Sequence, residues 1–153
     1  MKNKFKIGFF GDEVWAHNCL RFILNDKSLY ISFICGRYIT NDKKLKKIAK
    51  KNNIKFYREK NINSSKFFKR LKKEKLDLLV SMSLDQIFKK KIINLVNKKI
   101  INCHAGKLPF YRGRNVLNWV LINGEKEFGI TTHFINESID EGNVIMQKKF
   151  LIK

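Results

Sequence analysis

The 153-residue sequence has few of the features that mark secreted, metal-binding or membrane-spanning proteins. Its three cysteines, Cys19, Cys35 and Cys103, form no C-x-x-C pair, which argues against a zinc site or a disulfide framework and fits a reducing cytoplasm. No apolar run approaches about 18 residues, so we expect no membrane insertion. The N-terminal residues lack the apolar stretch and cleavage site of a signal peptide. We therefore expect a cytoplasmic protein.

Acidic residues are also scarce. The sequence has 13 Asp and Glu but 33 Lys and Arg, which gives a formal net charge of +20. Such a balance is typical of nucleic-acid-binding proteins. However, only six of the basic residues are arginine, the side chain that best reads bases and phosphates. The lysines concentrate in Lys43–Lys51, Lys66–Lys75 and Lys89–Lys91, which look like exposed helix faces. We interpret the charge as a compositional bias that would attract an anionic nucleotide, and we do not expect nucleic acid as a partner.

The sequence has one proline. It has no G-x-G-x-x-G fingerprint, so we do not expect it to bind NAD. Strand-like and helix-like segments alternate regularly along it. Apolar β-branched runs predict strands and spaced apolar residues predict helices. The predicted segments are strand 5–11, helix 13–25, strand 29–36, helix 42–53, strand 54–57, helix 64–74, strand 76–81, one or two helices in 85–97, strand 99–101, helix 116–122, strand 129–135 and strand 144–151. This alternation predicts an α/β fold with an open, mainly parallel sheet flanked by helices, in one domain over residues 1–153.

Asn102 and His104 follow a predicted buried strand and are two residues apart. Residues at this spacing point to the same face of a strand, so the amide and the imidazole lie side by side while Cys103 faces the core. In parallel sheets ligands bind beyond the carboxyl ends of the strands. Such a pair can stabilise an oxyanion and move a proton. Taken alone, however, Asn-x-His is more typical of a capping amide and a structurally satisfied histidine.

The other two histidines receive a structural interpretation. His17 lies on the first predicted helix and His133 alternates within a predicted strand, and neither has an evident partner. The long loop after His104, with one proline, two glycines and two arginines, is a candidate substrate clamp. We expect Asn115 to cap the helix that follows it.

Residues 100–147 carry the motifs N-C-H, L-P-F-Y-R-G-R, L-N-W-V-L-I-N-G-E, G-I-T-T-H and D-E-G. This set resembles the formyltransferase family that uses 10-formyltetrahydrofolate. Within that family it is most similar to the sugar-nucleotide N-formyltransferases of the UDP-4-amino-4-deoxy-L-arabinose formyltransferase type, with Asn118-Trp119 as the best discriminator. The resemblance implies a Rossmann-like catalytic domain with Asn102, His104 and Asp140 as its catalytic residues.

The resemblance also implies two binding regions. The sugar nucleotide would lie near Tyr111 and Arg112. The folate pocket would be lined by Gln86, Ile87, Phe88, Arg114, Asn136, Glu137, Ser138 and Ile139. The expected reaction moves a formyl group from 10-formyltetrahydrofolate to the primary amine of a nucleotide-linked amino sugar. Asn102 and His104 would stabilise the tetrahedral oxyanion, and Asp140 would raise the pKa of His104 and hold its orientation. We expect no metal.

The sequence departs from the family pattern at three places. Gly106-Lys107 stand where Ser-Leu is usual, Val116 stands where a proline is common, and the sequence stops at Lys153, where family domains generally continue. We therefore expect a catalytic domain that is truncated at its C-terminus.

Two alternatives stay open: a methionyl-tRNA formyltransferase-like enzyme, and a non-catalytic domain that binds nucleotide or nucleic acid. The implied partners are the folate and the sugar nucleotide, and a homodimer is compatible with the sequence.

Overall fold

The computed structural model describes residues 4–152, which form seven β-strands and five α-helices. None of these helices is long and apolar enough to cross a membrane. In chain order the elements are β1 Phe5–Gly11, α1 Glu13–Asn25, β2 Leu29–Gly36, α2 Lys43–Lys51, β3 Lys55–Arg58, α3 Ser65–Glu74, β4 Leu78–Met82, α4 Lys90–Leu95, β5 Ile100–His104, α5 Val116–Ile122, β6 Glu127–Phe134 and β7 Val144–Leu151.

The strands form one sheet in the order β3-β2-β1-β4-β5-β6-β7. All neighbouring pairs from β3 to β5 are parallel, whereas β6 is antiparallel to β5 and β7 is antiparallel to β6. The predicted α/β class and the mainly parallel sheet are therefore confirmed. The strand order reverses between β1 and β4, and ligands of open α/β sheets bind at such a switch point.

Helices cover both faces of the sheet. On one face α3 and α4 pack over a cluster that includes Phe10, Phe33 and Phe67. Phe10 makes edge-to-face contacts, with ring centroids 5.4 Å from Phe33 and 5.0 Å from Phe88, the geometry that aromatic quadrupoles favour. On the other face α1 and α2 bury a second apolar cluster that contains Phe9, Leu20, Ile34 and Leu45. Burial of these large side chains holds the strands in place and fixes where each one ends.

The structure corrects one helix and one cap. Of the predicted helical stretch 85–97 only Lys90–Leu95 is helical. The segment before it is held open by Asn63, whose side chain accepts from Lys89 N at 2.8 Å and donates to Ile87 O at 2.9 Å. Asn115 occupies the cap position of α5, but its side chain makes no capping bond and its backbone is left-handed, with φ 55°.

The structural interpretation of His17 was incomplete, because this side chain has a strong partner. Its Nε2 lies 2.6 Å from Asp42 Oδ2, and both side chains are buried. Asp42 also accepts from Leu45 N at 2.8 Å and so caps α2. Burial works to raise the pKa of Asp42, but the bonds from Leu45, Asp12 and His17 outweigh it and lower the pKa to about 2. The pair ties α1 to the start of α2.

Close packing at Gly8 on β1 generates the first prediction. A Cβ at Gly8 would lie 2.6 Å from both Leu79 and Phe33 side-chain atoms. Gly8→Ala should therefore lower the free energy of unfolding by about 1–3 kcal/mol, the usual cost of overpacking. Urea denaturation measures this loss. Gly36→Ala is the matched control on β2, since its nearest neighbour would be Phe56 at 3.2 Å. An equal loss in the two variants would contradict the packing argument.

Candidate active site

A cleft of about 1090 Å³ opens at the carboxyl ends of the strands. Its wall is built from the start of α1, the segment after β2, the loop after β4, the end of β5, the start of α5 and the loop after β6. This is the edge at which the sequence predicts ligand binding. Four non-glycine residues on the wall, Glu13, Ser83, Asn115 and Asp140, have left-handed backbones with φ of 68°, 56°, 55° and 51°. Such strained positions are common at functional sites.

Asn102 and His104 both lie on the cleft wall, as the strand spacing predicts. β5 extends through His104 because it pairs with β4 and β6. Cys103 points the other way and packs against the core beneath α1. The His104 side chain is buried, and its Nε2 lies 2.6 Å from the carbonyl oxygen of Tyr111. A carbonyl oxygen only accepts hydrogen bonds, so Nε2–H donates to it.

Asp140 reaches this pair from the loop after β6. Its Oδ2 lies 3.5 Å from His104 Nδ1 and accepts from Gly113 N–H at 2.9 Å. Burial works to raise the pKa of Asp140, but the neighbouring His133, the Gly113 N–H and His104 outweigh it, so the pKa lies below its usual value. The structure thus brings together the three residues that the resemblance assigns to catalysis.

His133 is the site residue that the sequence interpretation missed. It lies opposite Asn102 in the β5–β6 register, is buried, and has partners on three sides. Its Nδ1 donates to Phe134 O at 2.9 Å, and its Nε2 lies 3.3 Å from Asn102 Nδ2 and 3.4 Å from Asp140 Oδ1. The strand alternation in G-I-T-T-H predicts which face His133 occupies. The cross-strand register that places it beside Asn102 cannot be read from the sequence.

Two glycines allow the loops to come this close. A Cβ at Gly106 would overlap His104 Nε2 and the Tyr111 carbonyl oxygen. A Cβ at Gly142 would overlap the carbonyl oxygen of Phe134. A side chain at Gly106 would prevent the contact between His104 and Tyr111. A side chain at Gly142 would displace the loop that carries Asp140.

Most of the residues that the resemblance assigns to the folate line one lobe of the cleft. These are Gln86, Ile87, Phe88, Arg114, Asn136, Ser138 and Ile139, whereas Glu137 is not on the wall. Beside them, the Oδ1 atom of Asp85 is buried and has no hydrogen-bond partner within residues 4–152. An orphaned acceptor of this kind calls for a donor from a ligand. In the same part of the chain no three His, Cys, Asp or Glu side chains are grouped in a way that could hold a metal ion.

Tyr111 and Arg112, which the resemblance assigns to the sugar nucleotide, do not line the cleft. The Tyr111 hydroxyl donates to Glu125 Oε1 at 2.7 Å, and Arg112 pairs with Glu141 at 2.7 Å. Both side chains are thus committed to the surrounding loops. Their placement in the substrate site is not supported by the geometry.

A second lobe, which the sequence interpretation did not foresee, lies at the switch point. It is lined by Glu13, Trp15, Arg37, Ile39 and Thr40. Arg37 donates to Glu13 Oε1 at 2.9 Å and to the backbone carbonyl of Ser83, and its side chain is mostly buried. These residues come from two strand ends that are far from the motif-rich stretch. Asn102 and His104 line the same cleft.

The chain is similar to known proteins in sequence and in fold. A methionyl-tRNA formyltransferase of Clostridioides difficile is 32% identical over 149 residues, which cover 93% of this chain and 48% of that protein. The bifunctional polymyxin resistance protein ArnA of Wigglesworthia glossinidia brevipalpis is 38% identical over 109 residues, or 71% of this chain and 17% of that protein. The crystal structure of WlaRD, a sugar 3N-formyl transferase with dTDP and 5-N-formyl-THF, superposes with a TM-score of 0.75 at 29% identity and covers 98% of this chain and 53% of that one.

The chain thus spans about half the length of the methionyl-tRNA formyltransferase that it matches. The formyl transferase family model matches residues 35–153, which include β5, both loops and the four clustered polar residues. On this match, and with the same fold, the chain belongs to the formyl transferase family.

Proposed function

We propose that this chain transfers a formyl group from 10-formyltetrahydrofolate to the primary amine of a nucleotide-linked amino sugar. The observation that carries the proposal is the convergence of Asn102, His104 and Asp140 on one wall of a cleft with two lobes. A two-substrate transfer needs both substrates to meet at one set of polar groups. All three residues line the same cleft.

The donor fits the lobe that contains Asp85. A reduced pterin presents ring N–H and amino donors, and the orphaned Asp85 Oδ1 offers them a buried acceptor. Ile87 and Ile139, both more than half exposed, supply apolar contacts for the rest of the molecule. Arg114, on the same wall, provides a cation for its carboxylate end. Bound there, the folate supplies an activated formyl group.

The chemical roles follow from the geometry of the polar groups. As the amine adds to the formyl carbon, negative charge develops on the formyl oxygen, and the Asn102 amide donates to it. When its ring is protonated, His104 can release the Nδ1 proton to the departing folate nitrogen, and the freed Nδ1 can then take up the proton that the attacking amine loses. Asp140, held by Gly113 N–H, keeps a negative charge beside that imidazole. Its low pKa means that it stays ionised near neutral pH.

The acceptor fits the lobe at the switch point. Arg37 lies there with its guanidinium fixed by Glu13 and Ser83, and a fixed guanidinium suits a diphosphate. Trp15 offers an exposed aromatic surface for a base or a sugar ring. The likeness to a sugar 3N-formyl transferase favours an amino sugar as the amine.

A second candidate is formylation of methionyl-tRNA. It is favoured by the 32% identity to a methionyl-tRNA formyltransferase over 93% of this chain. The two candidates use the same chemistry and differ in the acceptor.

Incubation of the protein with 10-formyltetrahydrofolate and a panel of nucleotide-linked amino sugars tests the assignment. We expect a mass increase of one formyl group on at least one sugar and none on charged initiator tRNA. Formylation of the tRNA alone would select the second candidate. A folded sample that formylates neither acceptor would overturn the proposed activity.

Asn102→Ala removes the amide donor to the developing oxyanion. We expect kcat to fall by about 10²–10³-fold, the usual cost of one such donor, with little change in KM for either substrate. Steady-state kinetics measures both constants. Asn52→Ala is the matched control, because Asn52 is exposed and bonds only the end of α2 at Ile48 O. A comparable loss in the control would point to a general folding defect.

Arg37→Ala and Arg112→Ala together test where the acceptor binds. A lost charge-assisted hydrogen bond of about 1.5–3 kcal/mol corresponds to a KM increase of about 10- to 100-fold. We expect that increase for the sugar nucleotide in Arg37→Ala, while KM for the folate stays the same. Arg112→Ala should change neither constant, since Arg112 pairs with Glu141 outside the cleft. The reverse pattern would restore the placement that the sequence suggests.

A further inference from the structure

Two imidazoles flank one carboxylate in the candidate site. Asp140 Oδ2 lies 3.5 Å from His104 Nδ1, and Asp140 Oδ1 lies 3.4 Å from His133 Nε2. The two rings are nearly perpendicular, at 88°, with centroids 6.4 Å apart. Each histidine therefore has its own oxygen of the same carboxyl group. The proposed formyl transfer involves only the His104 side of this arrangement.

Backbone carbonyls fix which ring nitrogens carry hydrogen. His104 Nε2 is bonded to Tyr111 O and His133 Nδ1 is bonded to Phe134 O. Because a carbonyl accepts and does not donate, both nitrogens are protonated in the neutral ring as well as in the charged ring. The nitrogens that gain or lose a proton are the other two, His104 Nδ1 and His133 Nε2. Both face Asp140.

The charge state of His133 decides what its Nε2 can do. In the neutral ring Nε2 is a bare acceptor for Asn102 Nδ2 at 3.3 Å, which leaves the second hydrogen of that amide for a substrate oxygen. In the charged ring Nε2–H cannot accept from the amide. It would instead donate to Asp140 Oδ1 and partly neutralise the carboxylate that His104 faces through Oδ2.

We propose that His133 is a positioning residue for formyl transfer and that it acts in its neutral form, orienting the Asn102 amide and leaving Asp140 to His104. This proposal rests on the proposed function. Two titratable groups face His133 directly, namely His104 and Asp140. Further charged or titratable groups lie on the segments packed against it. These are Cys103 on β5, Lys148 and Lys149 on β7, Arg112 and Arg114 after β5, and Glu137 and Glu141 after β6.

The sign of the pH effect follows. Lowering the pH protonates His133, turns its Nε2 from acceptor to donor and removes the support of the Asn102 amide. His133 therefore adds an ionisation to the acid limb of the kcat profile, beyond any that His104 and Asp140 contribute. A purely structural role for His133 would change stability and leave this limb unaltered.

His133→Gln tests the pH effect, because a glutamine amide can accept from Asn102 and does not titrate. We expect its kcat in mildly alkaline buffer to remain within about tenfold of the parent, and its acid limb to become shallower by one proton. His133→Leu, which offers no acceptor, should lose about 10²-fold in kcat at all pH values with KM unchanged. His17→Gln is the control on α1 and should keep the parent's acid limb. An unaltered acid limb in His133→Gln would overturn the proposal.

Nitrogen NMR of the histidine side chains tests the same proposal without any substrate. The chain has three histidines, and single variants assign their signals. In mildly alkaline buffer we expect His133 as the neutral Nδ1–H tautomer and His104 with hydrogen on Nε2. A His133 that is charged there, or that carries its hydrogen on Nε2 alone, would overturn the proposal. Since this readout needs no turnover, failure of the proposed activity leaves it interpretable.

Discussion

The carboxylate of Asp140 is the contact on which the site depends. It binds Gly113 N–H on the loop after β5 and faces imidazoles on β5 and β6. The loop after β5 and the loop after β6 are thereby fixed against the paired strands β5 and β6. The cost of burying the charge is offset because each oxygen has nitrogen neighbours, as a buried carboxylate requires. Loss of this one group would leave two imidazoles side by side with no anion between them.

The sequence predicts the fold well because the fold is set by local patterns. Strands and helices follow apolar periodicity, and the caps at Asp42 and Ser64 follow short-range hydrogen bonding. The failures occur where a distant residue decides the outcome. Asn63 keeps the segment before α4 out of a helix, and Asp42 gives His17 a partner 25 residues away. Neither contact leaves a signature in its own stretch of sequence.

The same limit applies to the candidate site: local patterns predict some of its residues, and distant contacts decide the others. Asn102, His104 and Asp140 are predicted to be catalytic because their spacing resembles a known family, and the structure places them together on the cleft wall. The sequence does not single out His133 and Arg37, since their positions on the cleft wall depend on the β5–β6 register and on the strand order that brings β2 beside the cleft. Tyr111 contributes through its backbone carbonyl rather than its side chain. Prediction from sequence considers the side chains and cannot detect a contact made by a backbone carbonyl.

Gly142 has a consequence for how substrates enter and leave. The close approach of Gly142 to Phe134 O, the bond from Phe134 N to Asn143 O at 2.9 Å, and the Asp140–Gly113 bond anchor the loop after β6 near both of its ends. Many enzymes exchange ligands by swinging a loop open, and the speed of that motion then limits turnover. Here these contacts close the loop at its base, so we expect little swinging motion and exchange of ligands through the open side of the cleft.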